Sequence, residues 1–333
     1  MATRIWLRLN DATNKCFFNN VQYRRPNIQL CRSFKPVRNF KFREVEKEAP
    51  VEFNNNGPVS YRFWKTFGFT MMFSGTCIVG ATIWEYENIR RKTYNIINFM
   101  KHRQVPKRGF RAQAEQWWRS LSPGEKIFIP ICFLNVLVYL AWKVPSFRKT
   151  MGLYFTASPV SSKVGLPLLL STFSHDYFLH LAVNMYVLHN LCEFSVQSLG
   201  TEQFMAMYLI SGVFGSFLSH LYKATLWRTT ASLGSSAAVM GVLAYTCSQF
   251  PSLQFSLIFL PMFKFTSSQA IQGVIALDLI GAIMRWRFID HAAHLGGAFI
   301  GILWAKWINE NIWLQRKPLL TMWHKFREPP RSN

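Results

Sequence analysis

Between residues 127 and 308 the chain carries six apolar segments, at about 127–142, 177–196, 204–222, 233–250, 270–284 and 291–308. Each approaches the ~20 residues that a helix needs to cross a bilayer. Backbone amides and carbonyls in hydrocarbon must find their partners within the segment, so such a series folds as helices. A seventh apolar segment, at about 66–84, stands apart from the six. The pattern predicts an all-α membrane protein with one isolated helix followed by a six-helix core, a 1+6 arrangement. Half of the residues are hydrophobic and only 16% are charged, against ~25% in soluble domains. The 12 Trp and 30 Phe fit the same solvent, because aromatic rings gather in bundle cores and at headgroup level.

The remaining sequence is strongly basic. The net charge of +22 would suit nucleic acid, but the cations crowd into the N-terminus, the segment 85–126 and the C-terminal tail 309–333. No zinc-finger spacing or basic stripe on a soluble helix accompanies them, so the chain is read as binding no nucleic acid. Residues 1–43 hold ten Lys or Arg, with Asp11 the one acid. An Arg-rich, acid-poor start of this kind is the composition of a mitochondrial transit peptide, assigned to residues 1–50. The segment 85–126 is expected to be a hydrophilic loop. It ends on Ser122-Pro123-Gly124-Glu125, a helix start with proline in the first turn and an acid three residues after the cap. Residues 253–265, apolar but containing Pro261, are expected to pack beside the bundle without crossing it. Six scattered cysteines form no Cys-x-x-Cys pair, so neither a disulfide framework nor a zinc site follows.

Chemistry-bearing residues fall at three places inside the apolar region. Gly234-Ser235-Ser236-Ala237 puts serines at or near a helix start, where unpaired N–H groups can hold developing negative charge. The bland reading makes both serines small residues of a helix–helix contact. Asp290-His291-Ala292-Ala293-His294-Leu295-Gly296-Gly297 brings two histidines, and the residues alone do not choose between them. Ala293, Gly297 and Gly301 form a four-spaced ladder that lets the last helix approach a neighbour backbone to backbone. His175, His180 and Asn184 make the third group, with His180 and Asn184 on one helical face. Metal binding by His175, His180 and His294 is the competing chemistry, but no His-Glu-x-x-His motif or cysteine ligand supports it. Asp290 reads as the N-cap of the last helix. Asp278, inside an apolar segment, must face a polar interior or be neutral.

These three motifs, in this order, resemble the rhomboid intramembrane serine proteases. The resemblance covers about residues 127–308 and implies a serine–histidine dyad: Ser236, two residues after the glycine, as nucleophile and His294 as its base. It further implies that His180 and Asn184 stabilise the oxyanion, that no cofactor is needed, and that Asp278 and Asp290 stand outside the catalytic group. His291 is then dispensable. One position departs from the family pattern: Ala237 stands where a second glycine is usual. The extra helix before the six, behind a basic extension, is similar to the mitochondrial branch of the family. That similarity implies a multi-pass protein of the mitochondrial inner membrane. Its substrates would be single-span mitochondrial membrane proteins, a mitophagy kinase and a dynamin-like fusion GTPase among them. Roles in mitochondrial morphology and quality control would follow. The rival reading is a catalytically silent rhomboid-like protein that binds membrane clients. A transporter would show a second, inverted copy of the motifs, and none is visible.

Overall fold

The computed structural model describes residues 59–101, 109–257 and 260–327. The transit-peptide region 1–50 lies outside the described residues. Helix α1 (Val59–Lys101) is 43 residues long, about 65 Å at 1.5 Å per residue and twice the thickness of a hydrocarbon core. The isolated span expected over 66–84 therefore continues as helix into the segment read as a loop. Residues 85–101 are too polar for lipid, yet they contain no proline or glycine to stop a helix. The same segment also holds a short helix, α2 (Phe110–Ser120).

Helix α3 (Pro123–Lys143) begins where its cap residues place it. Ser122 Oγ accepts from Glu125 N at 3.2 Å, and Glu125 Oε2 accepts from Ser122 N at 2.7 Å, a reciprocal capping box. The broken apolar stretch that follows contains two short helices, α4 (Arg148–Tyr154) and α5 (Leu166–Leu170). Then come α6 (Phe178–Leu199), α7 (Thr201–Thr225) and α8 (Ser236–Gln249). The apolar segment expected beside the bundle contains two antiparallel strands, β1 (Gln254–Leu257) and β2 (Leu260–Thr266), with Gln254 opposite Thr266 and Phe255 opposite Phe265. Helix α9 (Ser267–Ile283) precedes α10 (His291–Leu303), which widens into a π-helical continuation over Trp304–Trp313. A terminal helix, α11 (Lys317–Arg327), closes the described chain.

Arg62–Asn98, Pro123–Lys143 and Thr201–Thr225 are long and apolar enough to cross a bilayer by length and composition, and Ser267–Ile283 is a shorter apolar helix. Helix α1 runs antiparallel to α7. Its start lies on the α7 end through Phe63 and Phe67 against Phe217, with ring centroids 6.1 Å apart in both pairs. Further along α1, Asn88 donates to Glu202 near the α7 start. Past the apolar part of α1 the end of the described chain fastens that helix: Arg316, just before α11, makes a two-pronged ion pair with Glu85 at 2.8 and 2.9 Å, and Trp323 of α11 donates to Glu87.

The centre of the bundle is a seam of small residues where α7, α8 and α10 meet. A methyl group on Gly297 would overlap the carbonyl oxygen of Ala237, and one on Gly301 would overlap that of Gly241. Gly297 and Gly301 of the ladder therefore pack α10 against the backbone of α8, and Ala293 meets Gly215 of α7. The Ala237 methyl occupies the room left by Gly215, where an added Cβ would come within 2.5 Å of it. The departure from glycine at position 237 is thus accommodated by a glycine on the facing helix.

Candidate active site

Helix α8 starts at Ser236 because the backbone before it cannot be helical. Gly234 has φ +129°, a region open to glycine and strained for other residues. The loop is held on both flanks: Ala157 and Ser232 exchange backbone hydrogen bonds of 2.9 and 2.7 Å, and Gly234 N donates to Ser171 O at 2.9 Å. The first turn of α8, with its N–H groups lacking intrahelical partners, is presented as a fixed donor set.

The two serines have different surroundings. Ser235 is fully buried. Its backbone N–H donates to His175 Nε2 at 3.4 Å, and its hydroxyl lies 3.3 Å from the same nitrogen. His175 sits in the loop ahead of α6; burial, reinforced by His180 and opposed by Asp176, lowers its pKa to about 3. A neutral ring is what lets Nε2 accept. Ser236 is half-buried, and its Oγ faces Gly234. A Cβ at Gly234 would lie 3.8 Å from that oxygen and 3.0 Å from His180 Nε2, so the His180 ring and the Ser236 hydroxyl converge on one glycine. Asn184 is buried one turn along α6. Its amide nitrogen donates to His180 O at 2.9 Å and lies 3.4 Å from His175 Nε2. His180 thus stands beside Ser236, and Asn184 stands behind His180 and His175.

On the other side of the seam, the residues next to the pair come together. Ala237, just after Ser236, and Ala293, just before His294, both press on Gly215. The His294 side chain keeps 18% of its surface exposed, and its Nδ1 is 3.3 Å from Asp278 Oδ1. The same oxygen is 2.6 Å from His291 Nδ1, and both of those side chains are almost fully buried. Asp290 has other partners. It caps α10 by accepting from Ala293 N at 3.2 Å, and its second oxygen takes Lys223 Nζ at 2.8 Å and the Ser219 and Ser232 hydroxyls at 2.6 Å each. Burial works against that carboxylate, but the Lys223 ammonium and the hydroxyls outweigh it and hold its pKa down at about 2.

The Rhomboid domain family model matches residues 164–310, an interval that contains His175, His180, Asn184, Ser235, Ser236, Asp278, Asp290, His291 and His294. The chain is 42% identical over 269 residues to the human "Presenilin-associated rhomboid-like protein, mitochondrial", covering 79% of this chain and 71% of that protein. The chain belongs to the rhomboid family. This rhomboid is also 34% identical over 291 residues to the zebrafish (Danio rerio) "Presenilin-associated rhomboid-like protein A, mitochondrial", with 80% and 76% of the two chains covered. Against the yeast (Saccharomyces cerevisiae) "Rhomboid protein 1, mitochondrial" the identity is 31% over 188 residues, 55% of this rhomboid and 54% of the other.

Two features of the rhomboid's site are not evident from its motifs. Asp278, expected outside the catalytic group, touches the ring of His294, whereas Asp290 is the cap it was read as. The signal for Asp278 was its place, an acid in the middle of an apolar segment. Its partner could not be read, because the two side chains come from different helices. His175 is the second. Its work is to hold Ser235, and its Nε2 is already engaged by the Ser235 N–H and approached by the Asn184 amide. Among the described residues no group of three or more His, Cys, Asp or Glu side chains is arranged to hold a metal ion.

Proposed function

We propose that this rhomboid is an intramembrane serine protease of the mitochondrial inner membrane that cleaves single-span mitochondrial membrane proteins. The observation that carries the reading is the division of labour around the α8 start. Ser235 is locked to His175, and Ser236 is left facing His180, on a helix whose backbone is seamed to the helix bearing His294. Ser236 Oγ attacks a peptide carbonyl of the substrate segment while His294 Nε2 takes the hydroxyl proton. Asp278 at Nδ1 holds the imidazole in the tautomer and orientation this requires. The oxyanion is met by the first-turn N–H of Ser236 and by His180, with Asn184 steadying His180 from behind. Collapse of the tetrahedral intermediate breaks the C–N bond, and His294 returns the proton to the leaving amine. Water then attacks the acyl-enzyme by the same proton path. The mitochondrial address is supported by the names of the relatives and by the basic, acid-poor first 43 residues, and the substrate class follows from the family resemblance alone.

The test is reconstitution of the full chain in liposomes with a single-span substrate. Ser236→Ala should abolish cleavage while insertion persists, since loss of a serine nucleophile costs up to ~10⁶ in rate. A dead Ser235→Ala beside an active Ser236→Ala would overturn the assignment. Intact binding without any cleavage by the wild type would leave a client-binding protein instead.

A further inference from the structure

The Asp278 carboxylate has two imidazoles on one oxygen, and the closer belongs to the histidine that the dyad does not use. His291 Nδ1 is 2.6 Å from Asp278 Oδ1, and His294 Nδ1 is 3.3 Å from it. We propose that His291 is a positioning residue, holding the Asp278 carboxylate at the angle from which it orients His294. The inference rests on the reading of His294 as the catalytic base and extends it to a second layer.

Three observations support this role. His291 and Asp278 are each about 97% buried, so their bond does not compete with water. The far side of the His291 ring is shaped for it: Gly281 on α9 leaves the space, since a Cβ there would overlap the ring, and Trp286 and Phe288 flank it at centroid distances of 5.8 and 6.1 Å. Nε2 of His291 is buried without a hydrogen-bond partner. A ring held with one nitrogen unpaired, where a polar group normally finds a partner, is oriented for the sake of the other nitrogen. Donation through Nδ1–H occupies one lone pair of Oδ1, and His294 Nδ1 lies 3.3 Å from the same oxygen. It also fixes the carboxylate plane, which a single contact at 3.3 Å would not do. His291 and His294 are three residues apart on α10, so both rings address the same carboxylate from one helix.

The test separates the donated hydrogen bond from the volume of the ring. Asparagine attaches its amide nitrogen to Cγ as histidine attaches Nδ1, so His291→Asn keeps a donor in place and loses volume. His291→Phe keeps the volume and loses the donor. Both variants, with wild type, Ser236→Ala and His294→Ala, are assayed in liposomes for kcat and KM, normalised to the folded fraction. His291→Asn should stay within a few-fold of wild type. His291→Phe should lose kcat by about 10–100-fold at unchanged KM, the scale seen for outer partners of metal-bound imidazoles. A phenylalanine variant as active as the asparagine variant, or equal activity of both with wild type, would overturn the proposal. Failure of both variants to fold would also overturn it, making His291 a packing residue. Cleavage by Ser236→Ala or His294→Ala would instead overturn the dyad itself, whatever the His291 variants do.

Discussion

Two acids, the buried Asp278 and the partly exposed Asp290, stand twelve residues apart near the same pair of histidines, and their surroundings differ in kind. Asp290 faces an ammonium, two hydroxyls and a backbone N–H. That is full compensation for the charge and marks a structural joint between α7, α10 and the loop before α8. Asp278 faces two imidazoles. Its position gains most when one of those rings becomes a cation, as a base does during acyl transfer. A carboxylate matched to a resident positive charge holds a fold together. One that faces two imidazoles serves chemistry if His294 is the base proposed above.

The largest expected effect tests the second half of that contrast. Asp278→Asn should lower turnover by about 10³–10⁴-fold with modest change in thermal stability, because an amide at Nδ1 favours the wrong tautomer of the base. A variant that keeps wild-type kcat would reduce Asp278 to a packing residue. Asp290→Asn should do the reverse. It leaves Lys223, whose side chain is 10% exposed, without its counter-charge. The cost should be about 2–3 kcal/mol, below the full penalty for breaking a buried pair because 22% of the Asp290 side chain still meets solvent. Melting should fall by roughly 5–10 °C, with turnover per folded molecule close to wild type. A deep loss of kcat at unchanged stability would make Asp290, too, part of the site. Adding Lys223→Met to Asp290→Asn should return part of the lost stability, read as a rise in melting temperature over the single variant.

Acid titration separates the joint from the serine loop. The Asp290 carboxyl is held at about 2 against an ordinary 3.8. Its contribution is present above pH 3.8 and is lost as the pH falls towards 2. His175 is held at about 3 against an ordinary 6.5. Between those values the unfolded chain takes up a proton that the folded chain refuses, so stability declines as the pH falls from 6.5 to 3. Thermal melting measured from pH 7 to 2.5 should show the upper decline flattened by His175→Gln and the lower one flattened by Asp290→Asn. An upper decline unchanged in His175→Gln would mean that His175 is not the group refusing the proton. The smallest effect concerns the oxyanion donors. His180→Ala should cost about 10²-fold in kcat and Asn184→Ala less, since the Asn184 amide bonds the His180 backbone carbonyl and approaches His175, while the His180 ring stands beside Ser236. The opposite order would place the amide on the substrate.

Much of this arrangement can be read from the residues in order, and the limits of that reading are physical. Apolar segment length located the helices of the core, Ser122 and Glu125 announced the start of α3, and the Ala293–Gly297–Gly301 spacing announced the α8–α10 seam. Each of these is a local cause with a local effect. Residues 85–101 misled because polarity reports which solvent a segment prefers, not whether its backbone is helical. The segment was also read without its partners on α11. The strand pair β1–β2 was not legible: the segment was read only as apolar sequence interrupted by Pro261. Asp278 was legible as an anomaly but not as a neighbour of His294, because a contact between helices leaves no period in either one. Ser235 and Ser236 were distinguished by family resemblance, and the hydrogen bonds of His175 supply the physical distinction.

The seam between α8 and α10 has a mechanical consequence. Where helices meet through ordinary side chains, the gap between them is filled by torsions that can relax, and the separation drifts as those torsions hop. Where a carbonyl oxygen rests on a glycine, as at Gly297 and Gly301, nothing soft lies between the two rods. Their spacing then has the stiffness of van der Waals contact. Ser236 and His294 ride on those rods, so the clearance between the proposed nucleophile and its proposed base is set by the skeleton and persists while more loosely packed parts of the molecule fluctuate.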